Sequence, residues 1–194
     1  YDNGKRIESI SVSENDVSLD ITEKSEYQIE ASFEPKDAFN PELTYTSNNE
    51  NIALVDEDGK VVLLAPGNAV ITVSSDNGVT TDFRITGIKP ATAISIVPHF
   101  EDGGIPLDIN DSKQFSIVTE PADATKEVVS WSVTDEDGLP TEVATISETG
   151  LLSVENAKKA DNVKLVVHAD SVNNPLLSAS ELIIVDDARI YADS

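Results

Sequence analysis

Apolar and polar residues alternate with period two over short stretches of the chain. Tyr27, Ile29, Ala31 and Phe33 are separated by Gln28, Glu30 and Ser32, and Val163, Leu165 and Val167 share one phase against Lys164, Val166 and His168 on the other. In an extended chain successive side chains point to opposite faces, so this spacing predicts strands buried on one face and wetted on the other. Between them lie turn-forming segments: APGN at 65–68, SDNG at 75–78 and SETG at 147–150. Their Asn, Asp, Ser and Gly residues reverse a chain readily. Long helical periodicity is absent. About seven short strands per half, joined by frequent turns, predict an all-β fold of two tandem immunoglobulin-like antiparallel sandwiches.

The pattern occurs twice. IESISV at 7–12 lies over ATAISI at 91–96, and LDI at 19–21 over LDI at 107–109. EPKDA at 34–38 meets EPADA at 120–124, and LTYTS at 43–47 meets VSWSV at 129–133. IALVDEDGKV at 52–61 meets VATISETGLL at 143–152, and NAVITVSS at 68–75 meets NVKLVVHA at 162–169. The correspondence describes an internal duplication of roughly 85 to 95 residues, the size of one small domain. The expected division is residues 1–88 and 89–194. It falls in TGIKPAT at 86–92, where Gly87 and Pro90 punctuate two strand-like stretches. A junction this short and containing proline is expected to be semi-rigid. Tyr45 and Trp131 coincide in the alignment, and both are expected to be buried equivalents in their cores.

The order of these segments resembles a known family. An ISV strand, an aromatic second strand, EPxDA, an aromatic third strand, IALVDEDGKVVLLAPGNAVITV and a closing strand ending in FRITGI look like the bacterial immunoglobulin-like domain, group 2. That family has a valine-rich segment, a D-x-x-G turn, an a-P-G turn and an I-T-V strand in this order. The resemblance covers about 80 residues of the first half. In the second half it is looser, because DEDGLP at 135–140 is inserted after Trp131 and ENAKKADN at 155–162 replaces the tight APGN turn. The resemblance implies bacterial cell-surface proteins, including adhesins of the intimin and invasin kind, whose domains form stalks or present a binding tip. It implies no single shared ligand.

Charge narrows the partners. Thirteen Lys and Arg against 36 Asp and Glu give a formal charge of -23, which repels phosphate backbones and anionic membranes, so nucleic acid is not expected. The longest apolar run, at 61–65, is far short of the roughly 20 residues that cross a bilayer. No charged-then-apolar leader opens the chain, so the segment is expected neither to span nor to target by itself. There is no cysteine, which removes disulfides and thiol chemistry. There is no methionine either, even at residue 1, and the chain therefore reads as a trimmed or mature segment of something longer.

Candidate chemistry is sparse. DEDG occurs at 56–59 and again at 135–138, which makes Asp56, Asp58, Asp135 and Asp137 the weak candidates for a metal. An EF-hand loop, however, places glycine sixth and a glutamate further on, whereas Gly59 is fourth from Asp56. The first copy lies where a hairpin needs Asp and Gly, and the second lies in an insertion, so turn chemistry explains the repetition. The expectation is no cofactor, with weak calcium uptake the most that the clustered carboxylates would support. His99 and His168 sit in different elements and do not suggest a zinc pair. No G-x-S-x-G, phosphate-binding glycine loop or cysteine nucleophile occurs, and enzyme is the least supported class.

The one loop with binding character is PHFEDGG at 98–104, longer than its counterpart in the first half and carrying His99 and Phe100. Two readings follow. The first is a non-catalytic surface module, a spacer or a segment adhering to another protein. The second is a carbohydrate-binding module using Phe100 or Tyr191, which is weakened by an aromatic content of only 5%, since glycan sites converge several aromatic and polar groups. The expected partner is an unidentified protein or glycan at the bacterial cell surface.

Overall fold

The computed structural model describes residues 4–39, 41–101, 103–155 and 162–186. Among these, every regular element is a strand. The chain divides into two compact units, Tyr1–Pro90 with Asp123–Thr125, and Ala91–Ala122 with Lys126–Ser194.

In the first unit the strands are β1 (Ser9–Val12), β2 (Asp16–Asp20), β3 (Glu26–Gln28), β4 (Ala31–Glu34), β5 (Leu43–Ser47), β6 (Ala53–Val55), β7 (Lys60–Leu63), β8 (Gly67–Ser75) and β9 (Thr80–Ile88). One face is the sheet β2-β9-β8-β5, and the other is built from β1-β4 and β3-β7-β6. All pairs are antiparallel except β2 with β9, which run parallel. The second unit contains β10 (Ala93–Val97), β11 (Ile105–Asp108), β12 (Ser112–Gln114), β13 (Ser116–Glu120), β14 (Val129–Asp135), β15 (Ala144–Ile146), β16 (Leu151–Val154), β17 (Val163–Ser171) and β18 (Ser178–Asp186). Its sheets are β11-β18-β17-β14, β10-β13 and β12-β16-β15, the first unit's topology strand for strand.

The nine segments per unit are seven strands, two of which are split. The first strand pairs with one sheet as β1 and then crosses to the other as β2, a division that β10 and β11 repeat. The second strand breaks between β3 and β4, where the Gln28 side chain donates to Ile29 O at 3.1 Å and to Asp58 O at 2.8 Å. Gln114 donates in the same way to Phe115 O and Thr149 O, each at 2.7 Å. Alternation then builds the cores. Ile71, Val73, Phe83 and Ile85 on β8 and β9 are fully buried, as are Leu165, Val167, Ile183 and Val185 on β17 and β18. Each side chain so buried contributes about 1.5–3 kcal/mol relative to exposure.

Tyr45 and Trp131 do hold equivalent places, opposite Val73 and Ala169, but they are half-buried instead of buried. The reason is the turn beside each. Tyr45 lies against Gly59 and Trp131 against Gly150, so that a Cβ added at either glycine would meet the ring at 2.8 or 3.0 Å. Each ring thus packs on a bare turn backbone at the rim of its sheet. The aromatics that occupy the core centres are Phe83 and Phe115.

Candidate functional site

The acidic turns resolve into one recurring local device. Four loops, beginning at Asp56, Ser75, Asp135 and Ser147, share a main-chain pattern. The N–H three residues on donates to the first carbonyl at 3.0–3.1 Å, and the first N–H donates to the carbonyl four residues on at 2.9–3.1 Å. The fourth residue is always glycine, at φ between 79° and 88°, the left-handed region in which a Cβ is penalised. The first side chain caps the loop. Asp56 Oδ1 accepts from Asp58 N at 3.1 Å and Lys60 N at 2.8 Å, and Asp135 Oδ1 accepts from Asp137 N at 3.0 Å and Leu139 N at 2.8 Å. Ser75 and Ser147 perform the task with a hydroxyl, accepting from Val79 N at 3.0 Å and Leu151 N at 3.1 Å.

Asp56 and Asp135 therefore act in the fold as turn acceptors, with Asp58 and Asp137 entering through their N–H groups. The two DEDG copies cap different hairpins, β6–β7 and the end of β14. Among the described residues no group of three or more His, Cys, Asp and Glu side chains is arranged to hold a metal ion. His168 bonds through Nε2 to Thr134 Oγ1 at 3.0 Å, on a different element from His99. Tyr191 lies outside the described residues.

The structure does bring His99 and Phe100 together with a residue that the linear pattern did not single out, Glu181. The carboxylate of Glu181 on β18 is buried, with 3% of its side chain accessible, and its Oε2 lies 2.6 Å from His99 Nδ1. Its Oε1 accepts from Phe100 N at 3.3 Å. The Glu181 carboxylate, through its hydrogen bond and its charge, raises the His99 imidazole above its ordinary value. Ser95 on β10 and Ser178 and Ser180 on β18 line the open groove beside the pair. Phe100, the residue after His99, is 49% exposed. A polar groove of this kind can bind a polar or basic group.

The registers show why Glu181 is unusual. Leu19 pairs with Gly87 and Leu107 with Val185, so four residues upstream Phe83 corresponds to Glu181. Their partners across the hairpin, Ile71 and Val167, also correspond. In the first unit Phe83 stacks on Tyr27 with ring centroids 5.2 Å apart. Tyr27 in turn donates to Glu14 Oε2 at 2.7 Å, between β1 and β2. That bond is the main reason its phenol is pushed up to about 12, with burial second. In the second unit Lys113 and Glu181 replace the aromatic pair, and Glu181 itself holds the longer crossing between β10 and β11. A carboxylate aligned with an inward phenylalanine was the available signal.

Two matched sandwiches of one topology, each with its first strand divided between sheets, define a tandem immunoglobulin-like protein. A tandem pair of titin Ig domains superposes on 94% of this chain and 98% of that one with a TM-score of 0.57 at 12% identity, which supports the fold alone. Residues 6–83 match the family model of the bacterial Ig-like domain, group 2. An uncharacterized protein of Clostridium acetobutylicum is 26% identical over 127 residues, which are 66% of this chain and 13% of that protein. The chain thus spans about one eighth of the length of the curated relative it matches. A structure of an intimin–Tir90 complex, 21% identical over 43% of this chain and 50% of that one, superposes with a TM-score of only 0.32, too low for structural inference.

Proposed function

We propose that this segment is a non-catalytic extracellular module of a bacterial surface protein, acting as a spacer or as a segment that adheres to another protein. The observation that carries this reading is the duplicated sandwich, begun by a bacterial Ig-like domain at residues 6–83, with the capping Asp56 and Asp135 carboxylates engaged in turn formation. A charge of -23 supports it, because like-charged surfaces keep a surface protein soluble and apart from its copies. Among the described residues no helix is long and apolar enough to cross a membrane.

A second reading, glycan binding, is favoured by one observation: the exposed Phe100 beside the groove of Ser95, Ser178, Ser180 and His99. Calorimetry and a glycan array on the 194-residue chain separate the two. The spacer or adhesion reading predicts no simple polysaccharide bound more tightly than about millimolar, roughly 4 kcal/mol. Micromolar binding that disappears in Phe100→Ala would overturn it in favour of the glycan reading.

A further inference from the structure

We propose that His99 and Glu181 form a protonation-gated latch that pins residues 98–101, and with them the exposed Phe100, against β18. The geometry carries it. Glu181 stands at a position whose twin, Phe83, is wholly buried apolar surface, and burying a carboxylate is costly unless a charge or donor compensates it. Both of its oxygens are engaged by the crossing between β10 and β11, one by the His99 ring at 2.6 Å and the other by the Phe100 N–H at 3.3 Å. The loop that holds the carboxylate therefore contains a group that titrates near neutral pH.

The surroundings leave His99 as the gate. β10 (Ala93–Val97) contributes no titratable side chain. β17 presents Val167 opposite Glu181, while Lys164, His168 and Asp170 alternate with buried Leu165, Val167 and Ala169 and so lie on the other face. On β12, Lys113 occupies the place of Tyr27. On β11, Asp108 pairs with Asp186, five residues along β18 from Glu181. Within the loop, Glu101 adds a smaller favourable charge to the imidazolium. His99 itself is 60% exposed, so its proton exchanges freely with solvent.

The sign follows from the raised imidazole. The charge pair is fully present below the ordinary histidine value of about 6.5 and is lost as pH rises through the higher folded value. Above that point the imidazolium charge beside Glu181 is gone, and the hold on residues 98–101 weakens to its neutral hydrogen bonds.

Proton and nitrogen NMR of the whole chain tests this, following the His99 ring and the Phe100 amide across neutral pH. The latch predicts a His99 midpoint above the ordinary value, a Phe100 amide that moves with the same midpoint, and several-fold faster amide exchange at Phe100, beyond the intrinsic pH effect, once the ring is neutral. Glu181→Gln should return the His99 midpoint toward the ordinary value, and His99→Gln should abolish the Phe100 titration. A His99 midpoint unmoved in Glu181→Gln, or a Phe100 amide that does not respond as the ring titrates, overturns the proposal. If Glu181→Gln does not fold, His99→Gln decides alone: a Phe100 amide still titrating at the wild-type midpoint overturns it.

Discussion

Single residues decide the turns. Gly150 sits at φ 81° with Phe115 O 2.7 Å and the Trp131 ring 3.0 Å from the place of a Cβ, whereas Gly138 at φ 80° has nothing within 4 Å. Gly138→Ala should therefore cost only the left-handed penalty, about 1–2 kcal/mol. Gly150→Ala should cost that plus an overpacking term of about 1–3 kcal/mol, and the difference is readable in urea denaturation midpoints. Trp131→Ala should lie below the roughly 3–5 kcal/mol of a fully buried aromatic, near 1–3 kcal/mol, because part of the residue is already in contact with water. Buried and half-buried aromatics were not separable in the sequence: alternation assigns Trp131 to the inward face but cannot say that a glycine turn lies over the rim. Glu181 was hidden for the opposite reason. A lone carboxylate in SELIIV looks like a solvent-facing residue of a strand, and only the register against Phe83 reveals that it points inward.

At the scale of elements, the hairpins are set by first-position side chains. Asp56→Ala and Asp135→Ala each remove an oxygen that two backbone N–H groups share, and each should cost about 0.5–1.5 kcal/mol in denaturant unfolding. Substitution by Ser should recover part of that loss, since Ser75 and Ser147 cap the same loop type. Calcium is expected to leave the thermal midpoint of the wild type unchanged at millimolar concentration; a rise that disappears in Asp56→Ala or Asp135→Ala would show the turns to be metal sites. The strand pattern was legible because apolar and polar residues alternate in strands such as β5 and β14. The splitting of the first two strands was not, since it goes with side-chain bonds from Gln28 and Gln114 that reach the carbonyls of Asp58 and Thr149 and with a crossing between sheets that no local spacing encodes.

At the scale of the molecule, the duplication was legible because the two copies keep one strand order and matching core positions. Function was not, because a sandwich surface can bind another protein without a motif, and the chain covers only 13% of the relative it matches. Each copy is a sandwich with its own core. A cut between Ile88 and Lys89 preserves β9 in the first piece, and it keeps the bonds of Lys89 to Asp123 and Thr125 within the second. The most direct test is urea unfolding of residues 1–88 and 89–194 expressed separately, followed by circular dichroism. A strand-type spectrum and a single cooperative transition are expected for each piece. A piece that is unfolded alone, or that melts without cooperativity, would contradict this expectation.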